Sequence, residues 1–199
     1  MARRDQPTVT ERLAQERRIS IARKAMEIFV ADGDTSATVE RIAEAAGVTP
    51  RTFHRHFAAK EDVVLPIFRA SWEAVIEALA KAPESGDLVE ALVAVWTSEF
   101  PDGRLSDFDR AFLKLMVTTP QYRLRWLEAD DDLYEAVADL LRRRISLEGD
   151  PLLQTLPAYL IVHATRHVFD RWLTSETDED LVDMLRRAFR ITLAGVGVL

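Results

Sequence analysis

The sequence predicts an all-α fold of about nine helices, an N-terminal three-helix helix-turn-helix unit followed by a helical bundle. Two observations predict it. Apolar residues recur at three- and four-residue spacing along nearly the whole chain, and runs that alternate polar with β-branched residues are scarce. The periodic stretches are also separated by clear stops at Asp32-Gly33, Gly47, "KAPESGD", "PDGRLS", Pro120 and "SLEGDP".

Each element follows from that pattern. A first helix is expected over about 11–31, with Ile21, Ala25, Ile28 and Phe29 on one face and Asp32-Gly33 as its stop. Thr38 is placed to cap a short second helix whose apolar side is Val39, Ile42, Ala43 and Ala46, and Gly47 ends it. Thr49 can cap a third helix with Pro50 at its first position, where a missing N–H costs nothing. A long fourth helix over about 60–80 buries Val64, Ile67, Phe68, Trp72, Val75 and Leu79. "LVEALVAVWTSEF", "DFDRAFLKLMVTT" and "QYRLRWLEADDDLYEAVADLLRRR" continue the bundle, and helices over about 152–173 and 178–197 close it. The last two are apolar enough that one face packs either on the chain's own core or on a second copy.

Composition narrows the chemistry. The chain has 199 residues, 48% of them hydrophobic, which is enough for a genuine core. No window approaches the roughly 18 consecutive apolar residues of a membrane span, and no apolar stretch follows the basic N-terminus, so a cytoplasmic protein without a membrane partner is expected. Zero cysteines exclude disulfides, thiolate metal sites and cysteine nucleophiles. The net charge of -7 hides an asymmetry: residues 1–60 carry 11 Lys+Arg against 8 Asp+Glu, and residues 61–199 carry 15 against 25. A basic end on an acidic chain points to an anionic partner there, or to a solvated face.

The segment Val39–Ala58 has helix-turn-helix spacing, with Ala43 fifth, Gly47 ninth and Phe53 fifteenth. Ala43 is small where two helices cross, Gly47 takes the positive φ of a tight turn, and Ile42, Val48 and Phe53 fill the wedge between helices. The outward side of the third helix then carries Thr49, Arg51, Thr52, Arg55 and His56, with His54 beside them, donors suited to phosphates and major-groove base edges. Arg51 and Thr52 are the candidates for base contacts, and His54 and His56 for phosphates. Arg41 lies on the outer face of the preceding helix, within reach of the DNA backbone. Arg3 and Arg4 are either a minor-groove arm or a disordered tail.

Residues 18–64, with "TVERIAEAAGV" and "HFAAKED", resemble the DNA-binding domain of TetR-type transcriptional regulators. His54 stands where that family usually has Tyr, and Arg51 where it usually has Gly, although the "PRTF" form also occurs. The resemblance implies a domain boundary near residue 64, with a DNA-binding domain at 1–64 and a ligand-binding and dimerisation domain at 65–199. It also implies phosphate contacts from Thr38 at the start of the second helix and Lys60 at the start of the fourth, in line with anion binding at helix N-termini.

Beyond residue 65, "TTPQYRLRWLE" resembles the MftR-like, acyl-CoA-responsive subgroup. An acyl-CoA needs an apolar slot with cations for its phosphates; the candidate lining read from the sequence is Trp96, Phe112, Met116, Arg123, Trp126, Tyr159, His163 and His167, with plain core as the alternative for the aromatic ones. Arg123 and Arg125 alternatively pair with Glu128 or Asp130 on a solvated helix. His163 and His167, four apart with Asp170 beyond, have the spacing of a divalent metal pair, but no third strong ligand is placed, so with Tyr159 they read as polar members of a cavity. No metal, cofactor or enzyme activity is expected, since glycine-rich phosphate loops, nucleophile elbows and HExxH are all absent. The expected function is a homodimeric repressor released from its double-stranded operator by a small hydrophobic effector such as acyl-CoA. The alternatives are an effector-independent binder or activator, and an interaction protein that uses the motif as scaffold.

Overall fold

The structure, a computed structural model, describes residues 8–98, 100, 104–128, 130–145, 151–175 and 179–195. Arg3 and Arg4 lie outside the described residues. Among those described there is no strand, and no helix is long and apolar enough to cross a membrane.

Helix α1 (Val9–Asp32) starts two residues before the expected position because Thr8 and Glu11 form a capping box. The Thr8 hydroxyl accepts from the Glu11 N–H at 3.3 Å, and the Glu11 carboxylate accepts from the Thr8 N–H at 2.7 Å. Ile21, Ala25 and Phe29 are fully buried on its core face, and Gly33 ends it at φ 71°. Helices α2 (Val39–Ala45) and α3 (Pro50–His56) have the caps their sequence predicts: the Thr38 and Thr49 hydroxyls accept from the backbone N–H of Arg41 and Thr52. Between them, Gly47 N–H donates to Glu44 O at 3.0 Å and Val48 N–H to Ala43 O at 2.9 Å. These two bonds are those of a Schellman motif, which requires the φ of 65° found at Gly47. Ala43 and Phe53 are wholly buried in the crossing.

The fourth helix departs from its expected start. Lys60–Val64 form a 3-10 turn, and α4 runs only from Leu65 to Lys81. Pro66 is the reason. An α-helix begun at 60 would ask Pro66 for an N–H to reach Asp62 O and would press its ring on that carbonyl; in a helix begun at 65 it sits harmlessly in the first turn. Val64, Phe68, Val75 and Leu79 are buried as expected, while Ile67 and Trp72 are half-buried against the core.

The bundle continues with α5 (Leu88–Trp96), α6 (Asp107–Thr118), α7 (Pro120–Leu127), α8 (Asp130–Arg144), α9 (Pro151–Thr174) and α10 (Leu181–Gly195). The stretch 121–144, continuous in the hydrophobic pattern, is therefore two helices. Their partners differ: α7 packs on α6 and the 3-10 turn, whereas α8 packs between α4 and α9. Asp132 falls in the first turn of α8, where negative charge suits a helix N-terminus. At its other end, Arg143 donates to Leu79 O at 2.9 Å and Arg144 to Pro83 O at 2.8 Å, satisfying carbonyls where α4 ends. The two final helices pack against each other, and α10 also lies on α5, where Arg186 grips Glu90 with bonds of 2.6 and 3.1 Å.

One continuous core links the N-terminal helices to the bundle. Tyr122 of α7 meets Phe29 of α1 edge-on at 5.5 Å between centroids, and Phe68 of α4 lies 6.1 Å from Phe112 and 6.0 Å from Trp126.

Candidate nucleic-acid interface and apolar cavity

Helix α3 presents its polar side to solvent. Thr49, Pro50, Arg51, His54 and Arg55 are exposed, and Thr52 and His56 are half-buried. Neither Arg51 nor Arg55 has an ion pair among the described residues, so both guanidinium forks face outward with their donors available, as contact with base edges or phosphates requires. The face is built by what holds the other side down: Phe53 is buried and packs on Phe57 at 5.0 Å. Thr52 is less available than its neighbours, since the Thr49 hydroxyl donates to its Oγ1 at 3.1 Å.

The neighbouring candidates are engaged within the chain. Arg41 forms a two-pronged pair with Asp32 at the end of α1, its second prong at 2.9 Å. Lys60 Nζ donates to Thr35 O at 2.9 Å, tying the 3-10 turn to the loop between α1 and α2. At the start of α2, its own backbone N–H and the Thr38 side chain hold the Glu40 carboxyl below its ordinary pKa of 4.5. A phosphate at Thr38 would meet the like charge of Glu40. Nothing in the sequence pattern marks that repulsion, because a helix N-terminus preceded by threonine and followed by Glu also reads as a plain cap.

The helical bundle holds an apolar cavity of about 110 Å³ between α4, α5, α7, α8 and α9. Trp72, Trp96, Trp126, Leu133, Val162 and Phe169 dominate its wall, with Ser71, Thr165 and Arg166 as the polar members. Beside it opens a cleft of about 260 Å³ lined by Arg123, His163, His167 and Asp170, sharing Trp126 and Arg166 with the cavity. Of the sequence candidates, Trp96 and Trp126 line the cavity, and Arg123, His163 and His167 line the cleft. Three are not brought there. Phe112 and Met116 are filled-in core at 1% and 0% exposure, and Tyr159 is 46% exposed and stacked on Tyr134 at 4.1 Å. His163 also meets that aromatic pair, with its Nε2 3.2 Å from the Tyr134 hydroxyl. The sequence pattern does not single out Trp72, Leu133, Val162, Thr165, Arg166 and Phe169, because helical periodicity separates buried from exposed without separating core from cavity wall.

The arginine pair resolves into two jobs. Arg123 binds Asp170 of α9 and donates to Val117 O at 3.2 Å, so Asp170, the third group of the metal alternative, is committed to an ion pair. Arg125 reaches in the other direction. Its Nε donates to Asp62 of the 3-10 turn at 2.8 Å, and its Nη1 to Glu128 at 2.6 Å. Asp62 in turn accepts from the Ala59 N–H at 2.8 Å, which fixes the first bond of that turn. Helix α7 thus carries three adjoining links: Tyr122 into the N-terminal core, Arg125 to the 3-10 turn, and Trp126 into the cavity wall.

Comparison with known proteins agrees with this architecture. Residues 21–67 match the family of bacterial regulatory proteins of tetR type, and residues 66–197 match the MftR C-terminal domain. The chain is 30% identical over 194 residues to the HTH-type transcriptional regulator TcmR of Streptomyces glaucescens, covering 94% of this chain and 85% of that protein. It is 29% identical over 160 residues to the HTH-type transcriptional repressor AcnR of Corynebacterium diphtheriae, covering 77% and 80%. In fold it is similar to FadR of Thermus thermophilus, a TetR-family repressor solved with lauroyl-CoA, at a TM-score of 0.64 and 24% identity over 89% of this chain and 94% of that one. The helix-turn-helix of α2 and α3, the bundle behind it and these matches together make the chain a member of the TetR family of transcriptional regulators, with a C-terminal domain of MftR type.

Proposed function

We propose that the chain is a homodimeric repressor that releases its operator when a small apolar effector with an anionic head, of the acyl-CoA class, enters the bundle. The DNA-contacting residues are Arg51 and Thr52 for bases, Thr38, Arg41, His54, His56 and Lys60 for the backbone, and Thr49, Pro50 and Arg55 on the same face. The division of labour falls near residue 65, where the 3-10 turn meets α4. The observation that carries the reading is the triple role of α7: the helix that lines the cavity through Trp126 also holds Asp62 through Arg125 and Phe29 through Tyr122. An occupant that displaces Trp126 must move these contacts. The DNA-reading helices then shift against the bundle, and two copies lose their match to major grooves one helical turn, ~34 Å, apart.

The effector's apolar part is assigned to the cavity, and its anionic head to the adjoining cleft with Arg123, His163, His167 and Arg166. The lauroyl-CoA complex of the FadR relative supports this class. Dimerisation is assigned to the last two helices, where Leu152, Leu153, Leu160 and Ile191 are exposed at 59%, 43%, 39% and 70%. A second reading, an effector-independent DNA binder, draws support from the cavity itself, whose 110 Å³ is below the roughly 300–1,000 Å³ of ordinary ligand pockets.

The test is a fluorescence-anisotropy titration on DNA from immediately upstream of the gene, at several salt concentrations, with and without lauroyl-CoA. Salt-sensitive binding released by lauroyl-CoA is the expected result. Binding that ignores a panel of apolar effectors supports the second reading. Absence of binding both there and across a random-sequence selection overturns the DNA-binding assignment.

A further inference from the structure

A basic cleft of about 170 Å³ lies between α1, the end of α3, the 3-10 turn and α4, apart from both the outer face of α3 and the apolar cavity. Gln15 and Arg18 of α1, His56 of α3, Asp62 of the turn, and Pro66 and Arg69 of α4 line it. Its charge is unbalanced. Several other arginines are matched to acids, Arg41 to Asp32, Arg125 to Asp62 and Glu128, Arg186 to Glu90 and Asp183, and Arg187 to Glu179, whereas the arginines of this cleft, like Arg51 and Arg55 on α3, are not. Among the described residues, neither Arg18 nor Arg69 has an acid within 4.0 Å, in a chain whose net charge is -7.

Three further facts sharpen the imbalance. The Arg18 Nε is buried with no hydrogen-bond partner among the described residues. Asp62, the acid in the lining, has both oxygens committed, one to Arg125 and the other to the Ala59 N–H. His56 is kept below its ordinary pKa of 6.5 by burial and by the positive fields of Arg55, Arg18 and Arg17, so several cations converge on this point. One buried guanidinium donor, the Arg18 Nε, and converging cations suit an oxyanion with several acceptor oxygens, and Arg forks match phosphate in two-pronged fashion. Apolar walls from Phe57, Leu65 and Pro66 lower the local dielectric and strengthen that attraction.

We propose that this cleft is a phosphate-binding site, with Arg18 and Arg69 as the principal ligands and Gln15 and His56 completing the shell. The phosphate comes either from the DNA backbone beside α3 or from a small phosphorylated molecule. Only His56 is shared with the contacts assigned above, and because Asp62 borders the cleft, its occupant lies next to the Arg125 link to α7.

The experiment uses the full chain and its Arg69→Ala and Arg18→Ala variants, with Arg171→Ala on α9 as a control for loss of one exposed cation. Arg69 is exposed, so its variant keeps the test valid if Arg18→Ala fails to fold. One arm titrates inorganic pyrophosphate into the DNA-free protein by calorimetry; the other measures affinity for a random-sequence duplex against salt. A DNA source predicts that each cleft variant lowers the slope of log K against log salt by about one, with Arg171→Ala unchanged. A small-molecule source predicts pyrophosphate binding that weakens at least ~10-fold in Arg69→Ala, with the slope unaltered. If pyrophosphate gives no saturable binding and the salt slopes match the control, the site does not exist. A chain with no affinity for any duplex sinks the regulator reading instead, and the pyrophosphate arm alone then decides the cleft.

Discussion

Gly47, Tyr122, His56 and Arg51 show how much single positions decide. At φ 65°, with no atom within 4 Å of where a Cβ would stand, Gly47 is required for its backbone and not for space. Gly47→Ala should cost about 1 kcal/mol, read as a lowered melting temperature with the fold retained. Tyr122 is buried with its hydroxyl unpartnered among the described residues, and burial together with Glu61 pushes its pKa upward. Tyr122→Phe should therefore be neutral or stabilising in a denaturant titration, since it removes a desolvated polar group and keeps the ring on Phe29. His56 titrates below 6.5, so its neutral form is the one the fold prefers. As pH falls through 6.5, the unfolded chain takes up the proton first, and this residue's contribution to stability declines from there toward its lowered folded value. Histidine proton shifts in an NMR titration check the direction. At the DNA face, Arg51→Ala should weaken the cognate site by about 1–3 kcal/mol and relax base preference, whereas Lys60→Ala should weaken all sequences alike. A selection experiment that finds the reverse pattern would exchange their roles.

Among the elements, α7 matters most for its eight residues. Arg125 holds Asp62 while half-shielded from solvent, with side-chain exposures of 26% and 17% for the pair. The link is worth on the order of 1 kcal/mol, too little to hold the fold but enough to bias two arrangements of the turn several-fold. Arg125→Ala should thus leave the melting temperature within a few degrees and raise amide hydrogen exchange over 59–64, where Asp62 fixes the turn. Its effector response, if lauroyl-CoA or another ligand releases DNA from the parent chain, should be reduced while DNA affinity survives. The 3-10 turn itself shows how one residue redirects an element. Pro66 is legible in the sequence, but the apolar periodicity of 64–79 dominates a reading by pattern and draws the expected helix start back to about residue 60, whereas α4 begins at Leu65.

For the molecule as a whole, five of the ten exposed large hydrophobic residues among those described, Leu152, Leu153, Tyr159, Leu160 and Ile191, lie on α9 and α10. If this is the seam between two copies, Leu160→Glu or Ile191→Glu should yield monomers by light scattering and sharply lower operator affinity, because each helix-turn-helix then binds alone. Dimers that survive both changes would place the seam elsewhere. The single core that runs from Phe53 to Phe189 also predicts one cooperative unfolding transition instead of two, since the N-terminal helices are stapled to the bundle by Tyr122, Phe68 and Trp126.

Sequence by itself determined what depends on neighbours along the chain. The caps at Thr38 and Thr49, the positive φ at Gly47, the buried Phe53 and the outward Arg51 and Arg55 follow from residue order within one short segment, so the helix-turn-helix was legible down to its caps and its turn. What tertiary structure decided are the facts that need two distant segments. Only packing shows that Trp126 lines a cavity while Phe112 and Met116 fill core, that Arg125 crosses 63 residues of chain to Asp62, and that Arg18 and Arg69 line one cleft with no ion pair to either among the described residues. Helical periodicity tells which face of a helix is covered, and the identity of what covers it is fixed only when the helices meet.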